Sequence, residues 1–275
     1  MRELGLFGMT IPEQYGGLGL TMEEEVLFAF EIAKTSPAFR SLIGTNNGIG
    51  SQGLIVDGTE EQKQHYLPKL ASGELIASFA LTEPGSGSDA ASLKTTASRD
   101  GDSYLINGTK RFITNAPEAG VFTVMARTNP ETKGAAGISA FIVDRGTPGI
   151  TLSKADKKMG QRGAHTCDVI FDDCRVPAAN LIGGTEGVGF KTAMKVLDKG
   201  RLHIAAICVG AAERMLSDAL RYALERQQFG KPIAEFQLVQ AMLADSQAEI
   251  YAARSMILDA ARRRDEKQDV SLEAS

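Results

Sequence analysis

No stretch of about 18 apolar residues occurs in this chain of 275, which excludes a membrane-spanning helix. Cysteine is scarce. Cys167, Cys174 and Cys208 fit no zinc spacing, and free thiols in a reducing compartment are the default reading. Histidine is as scarce. His65, His165 and His203 form no His-x-x-x-His pair, so no metal site is expected. No basic block precedes Arg262-Arg263-Arg264 and the net charge is −4, so nucleic acid is not an expected partner. That triplet closes an amphipathic stretch, where cations suit a helix C-terminus. The opening MRELGLFGMTIPEQYGG has too short an apolar part, and turns acidic too soon, for a signal peptide. The expected location is cytoplasmic, with the mitochondrial matrix left open should a segment precede Met1.

What is present is globular. Apolar content of 43% and charged content of 23% fit a folded chain of one large or two to three small domains. Three regions follow one another, giving an α+β multidomain expectation. Residues 1–75 read as an N-terminal helical domain, with capping boxes at Thr21/Glu24 and Thr59/Gln62. Residues 76–178 read as an antiparallel β domain, with strands near 76–81, 93–98, 121–126, 138–143 and 168–171. Residues 179–275 read as helical, with long helices over about 189–226 and 235–266. Phe229-Gly230-Lys231-Pro232 separates these two, because proline cannot continue a helix interior. Leu238, Met242, Ile250, Ala253, Ile257 and Ala261 form an apolar stripe on the second. Two helices of roughly 50 Å cannot bury such stripes on each other alone, so a bundle is implied, completed by helices outside the chain or by other subunits.

Phe79 to Ala116 is the most informative segment. It reads as a short apolar run, a loop of glycine and hydroxyl residues, then alternating segments broken at Asp100-Gly101 and Asn107-Gly108. Such dipeptides supply the positive φ of tight hairpin turns. Gly85-Ser86-Gly87-Ser88-Asp89-Ala90 fits G-x-G-x-x-A, but a strand rather than a helix is expected after it, which argues against a dinucleotide fold. A loop of small residues still offers unhindered N–H groups, with hydroxyls from Thr82, Ser86 and Ser88, to a phosphate or flavin. An ordinary surface loop is the alternative from composition.

These residues resemble the acyl-CoA dehydrogenases, flavoenzymes that desaturate acyl thioesters. Leu81-Thr82-Glu83-Pro84 with Gly87-Ser88-Asp89, Asn107-Gly108-x-Lys110 and Ile113-Thr114-Asn115 carry the likeness. So do Ile11-Pro12-Glu13-x-x-Gly16-Gly17, Lys158-Met159-Gly160, Val176-Pro177, Asp198-x-x-Arg201, Glu225-Arg226-x-x-Phe229-Gly230-x-Pro232-Ile233 and Phe236-Gln237. The motifs run in order along essentially the whole chain. The resemblance implies FAD as cofactor, with no metal. It implies α,β-dehydrogenation of an acyl-CoA to the trans-2-enoyl-CoA in fatty acid metabolism, and an electron-transferring flavoprotein as electron acceptor. It also implies a homo-oligomer built as a dimer of dimers.

By the same resemblance, Phe79, Leu81 and Thr82 edge the flavin, and Gly87 and Ser88 approach its pyrophosphate. Ser88 also meets the substrate's pantetheine. Phe112, standing where tryptophan is common, and Thr114 lie on the ring's other side. Arg226, Gln228, Phe229 and Gln237 reach the FAD of a neighbouring subunit. Asp198 and Arg201 serve the CoA or thioester end, although their spacing also suits a simple intrahelical ion pair. Family members are longer, so a leading helix and further C-terminal helices are expected outside the chain. Residues 269–275 read as a helix start capped by Asp269 or Ser271. The α-proton must pass to a carboxylate. The resemblance puts that base glutamate beyond Ser275, and neither Glu249 nor Glu273 matches its position. A related oxygen-using flavin oxidase and a shortened, non-catalytic homologue that binds acyl-CoA or FAD are the competing readings.

Overall fold

The computed structural model describes residues 1–275. The chain divides into two compact units, residues 1–20 with 41–197 and residues 21–40 with 198–275. In chain order the helices and strands are α1 (Met22–Ala33), α2 (Pro37–Thr45), α3 (Gln52–Asp57), α4 (Glu60–Ser72), β1 (Ala77–Ala80), β2 (Thr96–Asp100), β3 (Ser103–Thr114) and β4 (Val121–Arg127). There follow β5 (Ile138–Asp144), β6 (Ile150–Leu152), β7 (Thr166–Pro177), α5 (Gly189–Glu225), β8 (Gln227–Gln228), β9 (Lys231–Pro232) and α6 (Gln237–Asp265).

The first unit is a seven-stranded sheet with helices against it. Its order is β1-β4-β2-β3-β7-β6, with β5 added to β4. Most pairs are antiparallel as expected, but β1 runs parallel to β4, and β2 meets β4 in parallel at Thr96/Arg127. Asp100-Gly101 turns the β2–β3 hairpin, with Gly101 at φ 58°. Asn107-Gly108 makes no turn. It lies within β3, where the register against β7 shifts between Ile106 and Gly108. The extra residue of this β-bulge lies on β7, where Asp173 has φ 45°. Gly108 has φ 150°, and a Cβ there would sit 2.4 Å from Thr95 Oγ1.

Strand β4 shows why its run up to Arg127 is apolar but for the buried Thr123. Phe122, Val124 and Ala126 enter one core with Tyr104, Ile106 and Phe141. Val121 and Met125 enter another with Leu54, Leu67 and Phe79. A strand covered on both faces has no polar phase. Helix α4 begins at the expected capping box, with Thr59 and Gln62 bonded reciprocally. Residues 1–20 are mostly turns rather than helix.

The second unit packs α1 and the later part of α5 with α6 around Val26, Phe30, Leu202, Ala206, Ile257 and Ala261. Gly210 allows the closest approach, since a Cβ there would lie 2.2 Å from the Phe30 carbonyl oxygen. The Thr21/Glu24 box caps α1, as the pattern implies. The Asp265 carboxylate at the end of α6 also accepts from the Met22 and Glu23 N–H groups at 2.8 and 2.9 Å. Past α6, Asp269 accepts from the Ser271 N–H at 3.0 Å and starts a single turn.

Candidate functional site

The loop from Leu81 to Thr95 leaves β1 and re-enters the sheet at β2. Its neck is tied by a buried ion pair. Glu83 Oε1 lies 2.8 Å from Lys110 Nζ and accepts from the Thr95 N–H at 2.9 Å, while Oε2 accepts from the Lys94 N–H at 2.6 Å. Lys110 is 0% exposed and donates its remaining bond to the Leu81 carbonyl at 3.1 Å. Burial pushes the Lys110 ammonium down to about 8, against the pull of Glu83. Burial pushes Glu83 the other way, but the Lys110 charge and the surrounding donors outweigh it and hold the carboxyl low. The asymmetry has a physical source. The carboxylate collects three donors, whereas the ammonium has one anion and one carbonyl.

Two further bonds align the end of β1 with β3. The Arg111 N–H donates to the Thr82 carbonyl at 2.8 Å, and the Ser78 hydroxyl donates to the Thr114 carbonyl at 2.5 Å. Thr82, Phe112 and Thr114 thereby share one edge. Neither threonine hydroxyl has a partner within the chain, and both residues are half-buried. Phe112 is 58% exposed at φ 57°, beside the register shift between Lys110 and Ile113. A bulky residue held in the left-handed region is strained, and such strain gathers at functional sites. The Arg111 guanidinium sits 4.9 Å from the ring centroid and pairs with Asp168 at 3.2 Å. Asn115, also left-handed at φ 65°, fixes the next corner through bonds to the Leu42 and His165 carbonyls at 2.8 and 2.9 Å.

At the loop tip the N–H groups of Gly87, Ser88 and Asp89 make no bond within the chain. A Cβ at Gly85 or Gly87 would meet nothing within 4 Å, so the backbone there is open to an approaching group. Phe79 and Leu81 differ from these: their side chains are nearly buried and pack in the core behind the edge.

The remaining candidates lie in the second unit. Arg226, Gln228, Phe229 and Gln237 surround the small β8–β9 hairpin, whose turn is Phe229-Gly230. The Ile233 N–H closes it onto the Arg226 carbonyl at 2.8 Å. Phe229 is 94% exposed at φ 53°, touching only the edge of Phe236 at 6.2 Å. The exposed Arg226 guanidinium has no acidic partner. Asp198 and Arg201 pair at 2.8 Å on α5, so the intrahelical bond that their spacing suggests is made.

Glu83 and Lys110 carry no assigned role in the sequence reading, yet they organise the loop. One signal was available. Lys110 shares the inward parity of Tyr104 and Ile106 on β3, and a lysine in that phase needs a buried anion. The assembled groups are unpartnered backbone N–H donors, two free hydroxyls and a presented aromatic ring. These are the contacts that a nucleotide bearing phosphates and a flat polar ring system requires.

Comparison with known proteins agrees along the whole length. Residues 1–74, 78–174 and 187–275 match the N-terminal, middle and C-terminal domain models of acyl-CoA dehydrogenase. An acyl-CoA dehydrogenase of Bacillus subtilis (strain 168) is 45% identical over 95% of this chain and 68% of its own. The caffeyl-CoA reductase–Etf complex subunit CarC of Acetobacterium woodii is 42% identical over 100% of this chain and 72% of its own. The crystal structure of an acyl-CoA dehydrogenase complexed with FAD from Bacillus anthracis superposes with a TM-score of 0.91 at 39% identity. It covers 99% of this chain and 47% of that one.

Proposed function

From the premise that this chain belongs to the acyl-CoA dehydrogenase family of oxidoreductases, we propose that it binds FAD at the Thr82–Phe112–Thr114 edge and dehydrogenates an acyl-CoA thioester there. The observation that carries this reading is the coincidence of free donors with a presented ring. The unbonded N–H groups at residues 87–89, the Thr82 and Thr114 hydroxyls and the outward Phe112 all serve one loop-and-edge system. The B. anthracis relative is complexed with FAD, which supports that cofactor.

In this reading the Gly87–Ser88 backbone holds the pyrophosphate, and Ser88 also reaches the pantetheine. Thr82 and Thr114 hydrogen-bond the ring system, and Phe112 covers one side of it. When bound, the flavin supplies the hydride acceptor. A thioester carbonyl bound there would need hydrogen-bond donors to stabilise the charge that develops as the α-proton leaves. Arg226, Gln228, Phe229 and Gln237 form a contact for the cofactor of a second copy. An arginine fork suits pyrophosphate through paired charge-assisted bonds. Asp198 and Arg201 serve the CoA end, with their mutual pair opening on binding. No proton acceptor is assigned. Glu273 is engaged with Arg263 at 2.7 Å, and Glu249 lines an apolar groove between α5 and α6.

An electron-transferring flavoprotein is the proposed electron partner, since the CarC relative is a subunit of a complex with one. That relative is a reductase, so the same site working toward saturation is the second reading.

Anaerobic titration separates these readings. The protein is purified with added FAD and mixed with saturated and unsaturated acyl-CoAs while flavin absorbance is followed. Retained flavin that is largely bleached by a saturated acyl-CoA supports dehydrogenation; flavin that a saturated acyl-CoA leaves oxidised, although an enoyl-CoA reoxidises its reduced form, supports the reductase direction. Thr82→Ala combined with Thr114→Val is expected to weaken FAD by about 10- to 100-fold, the loss of two hydrogen bonds of about 1 kcal/mol or more each. Unchanged FAD affinity in that double variant would remove the edge from the cofactor site.

A further inference from the structure

We propose that the buried Glu83–Lys110 pair is the positioning clamp of the ligand loop, holding its neck rigid so that the 87–89 N–H groups are presented before any ligand arrives. The inference deepens the reading of this loop as a cofactor cradle and rests on it.

The bonding pattern divides the loop into a frame and a tip. The frame is closely tied, with Thr95 Oγ1 as its one buried side-chain oxygen without a partner. Glu83 and Ser86 exchange backbone bonds at 2.9 and 3.2 Å, and the Ser86 hydroxyl donates to the Asp89 carbonyl at 2.6 Å. Arg127 Nη2 donates to the Ala91 carbonyl at 2.8 Å, and the Glu83 carboxylate binds both Lys94 and Thr95 N–H groups. The tip at Gly87 and Ser88 is unbonded and exposed. A frame tied by these bonds that leaves the successive N–H donors of residues 87–89 free suits an acceptor ligand.

Lys110 is the part that a merely stable fold would not need. A buried ion pair seldom adds net stability over a well-packed apolar pair, because desolvation consumes the Coulomb gain. What this pair does add is registry. One ammonium ties the Leu81 carbonyl, one residue before Thr82, to the Glu83 carboxylate, which ties Lys94 and Thr95 across the loop. The three levels move together or not at all. Gly108 completes the arrangement, since only the lack of a side chain lets Thr95 lie against β3. Rigidity in the bound conformation raises affinity by removing the ordering cost at the moment of binding.

The test uses the full chain and Lys110→Met, which keeps the length and removes the charge. Glu83→Gln is the milder variant, retaining a carbonyl acceptor for the loop N–H groups. Amide hydrogen exchange is measured on ligand-free protein, and FAD affinity and the visible circular dichroism of bound flavin on loaded protein. Exchange at the bonded loop amides, those of Ser86, Ser92, Lys94 and Thr95, is expected to accelerate at least tenfold in either variant while β4 and β5 stay protected. FAD is expected to bind at least tenfold more weakly, with an altered flavin dichroism at saturation. Unaltered exchange at those four amides, or FAD affinity and dichroism equal to the parent in a folded variant, overturns the proposal. Should the parent chain bind no FAD, the cofactor reading fails on its own. The ligand-free exchange then still decides whether the pair orders the loop.

Discussion

Arg40 and His203 show how burial selects a protonation state. Arg40 donates through Nε and Nη2 to His203 Nδ1 at 3.0 and 2.8 Å, so this ring nitrogen must carry a lone pair. Burial first, and then the charges of Arg40 and Lys199, push His203 down to about 3. An unfolded histidine takes its proton near 6.5, so from pH 6.5 down to about 3 the unfolded chain binds more protons than the folded one. The contribution is therefore complete above pH 6.5 and is lost as pH falls through that window, at about 1.4 kcal/mol per pH unit. His203→Gln keeps an acceptor for Arg40 and removes the titration. Urea denaturation between pH 7 and 4 should give the variant a shallower fall by about that slope. Glu25, raised by burial, titrates in both proteins and cancels in the comparison. Parallel curves would show that the His203 proton is not what acid supplies.

Helix starts were legible in the sequence and strand irregularities were not, and the difference is one of range. A capping box is closed by residues three apart, so Thr21/Glu24 and Thr59/Gln62 could be found without a fold. The register shifts between β3 and β7 depend on both strands, some sixty residues apart, and so Asn107-Gly108 imitates a hairpin turn. The left-handed backbone of Phe112 was hidden for the same reason, although the family resemblance had placed the residue at the proposed flavin edge. The second cap of α1 was equally out of reach, because Asp265 arrives from the far end of α6. It satisfies two N–H groups that a helix start leaves open, and it places a negative charge at the positive end of the dipole. Asp265→Ala is expected to cost about 1–3 kcal/mol, and Asp265→Asn less, because an amide oxygen still accepts. Denaturant midpoints at unchanged slope would measure it. A change within about 0.5 kcal/mol for the alanine variant would mean that water replaces the carboxylate there at no loss.

Across the whole molecule, the two long helices keep the debt that their pattern announces. Met215, Leu216, Val239, Met242, Leu243 and Ile250 line an open groove between α5 and α6. Leu238, Met242, Tyr222 and Tyr251 around it are all largely exposed. A contiguous apolar surface of this kind marks an interaction face rather than ordinary scatter. The exposed Arg226, which has no acidic partner, and the 94% exposed Phe229 on the nearby hairpin point the same way. The homo-oligomer proposed for this chain accounts for both features, because a second copy would cover apolar helix surface and receive the hairpin together. A charge placed in the groove separates the consequences. Met242→Glu carries an ionised group into any interface formed there, at a desolvation cost of several kcal/mol, while leaving an exposed helix position helical. Sedimentation velocity should show the parent as an assembly that shifts toward single chains in the variant, with circular dichroism unchanged. Arg226→Ala should leave the sedimentation of the ligand-free protein in place and weaken FAD retention in the assembly, because its proposed partner is the cofactor and not apolar surface. If Met242→Glu sediments as the parent does, the groove is not where copies meet. If Arg226→Ala retains FAD fully, the hairpin is not a cofactor contact.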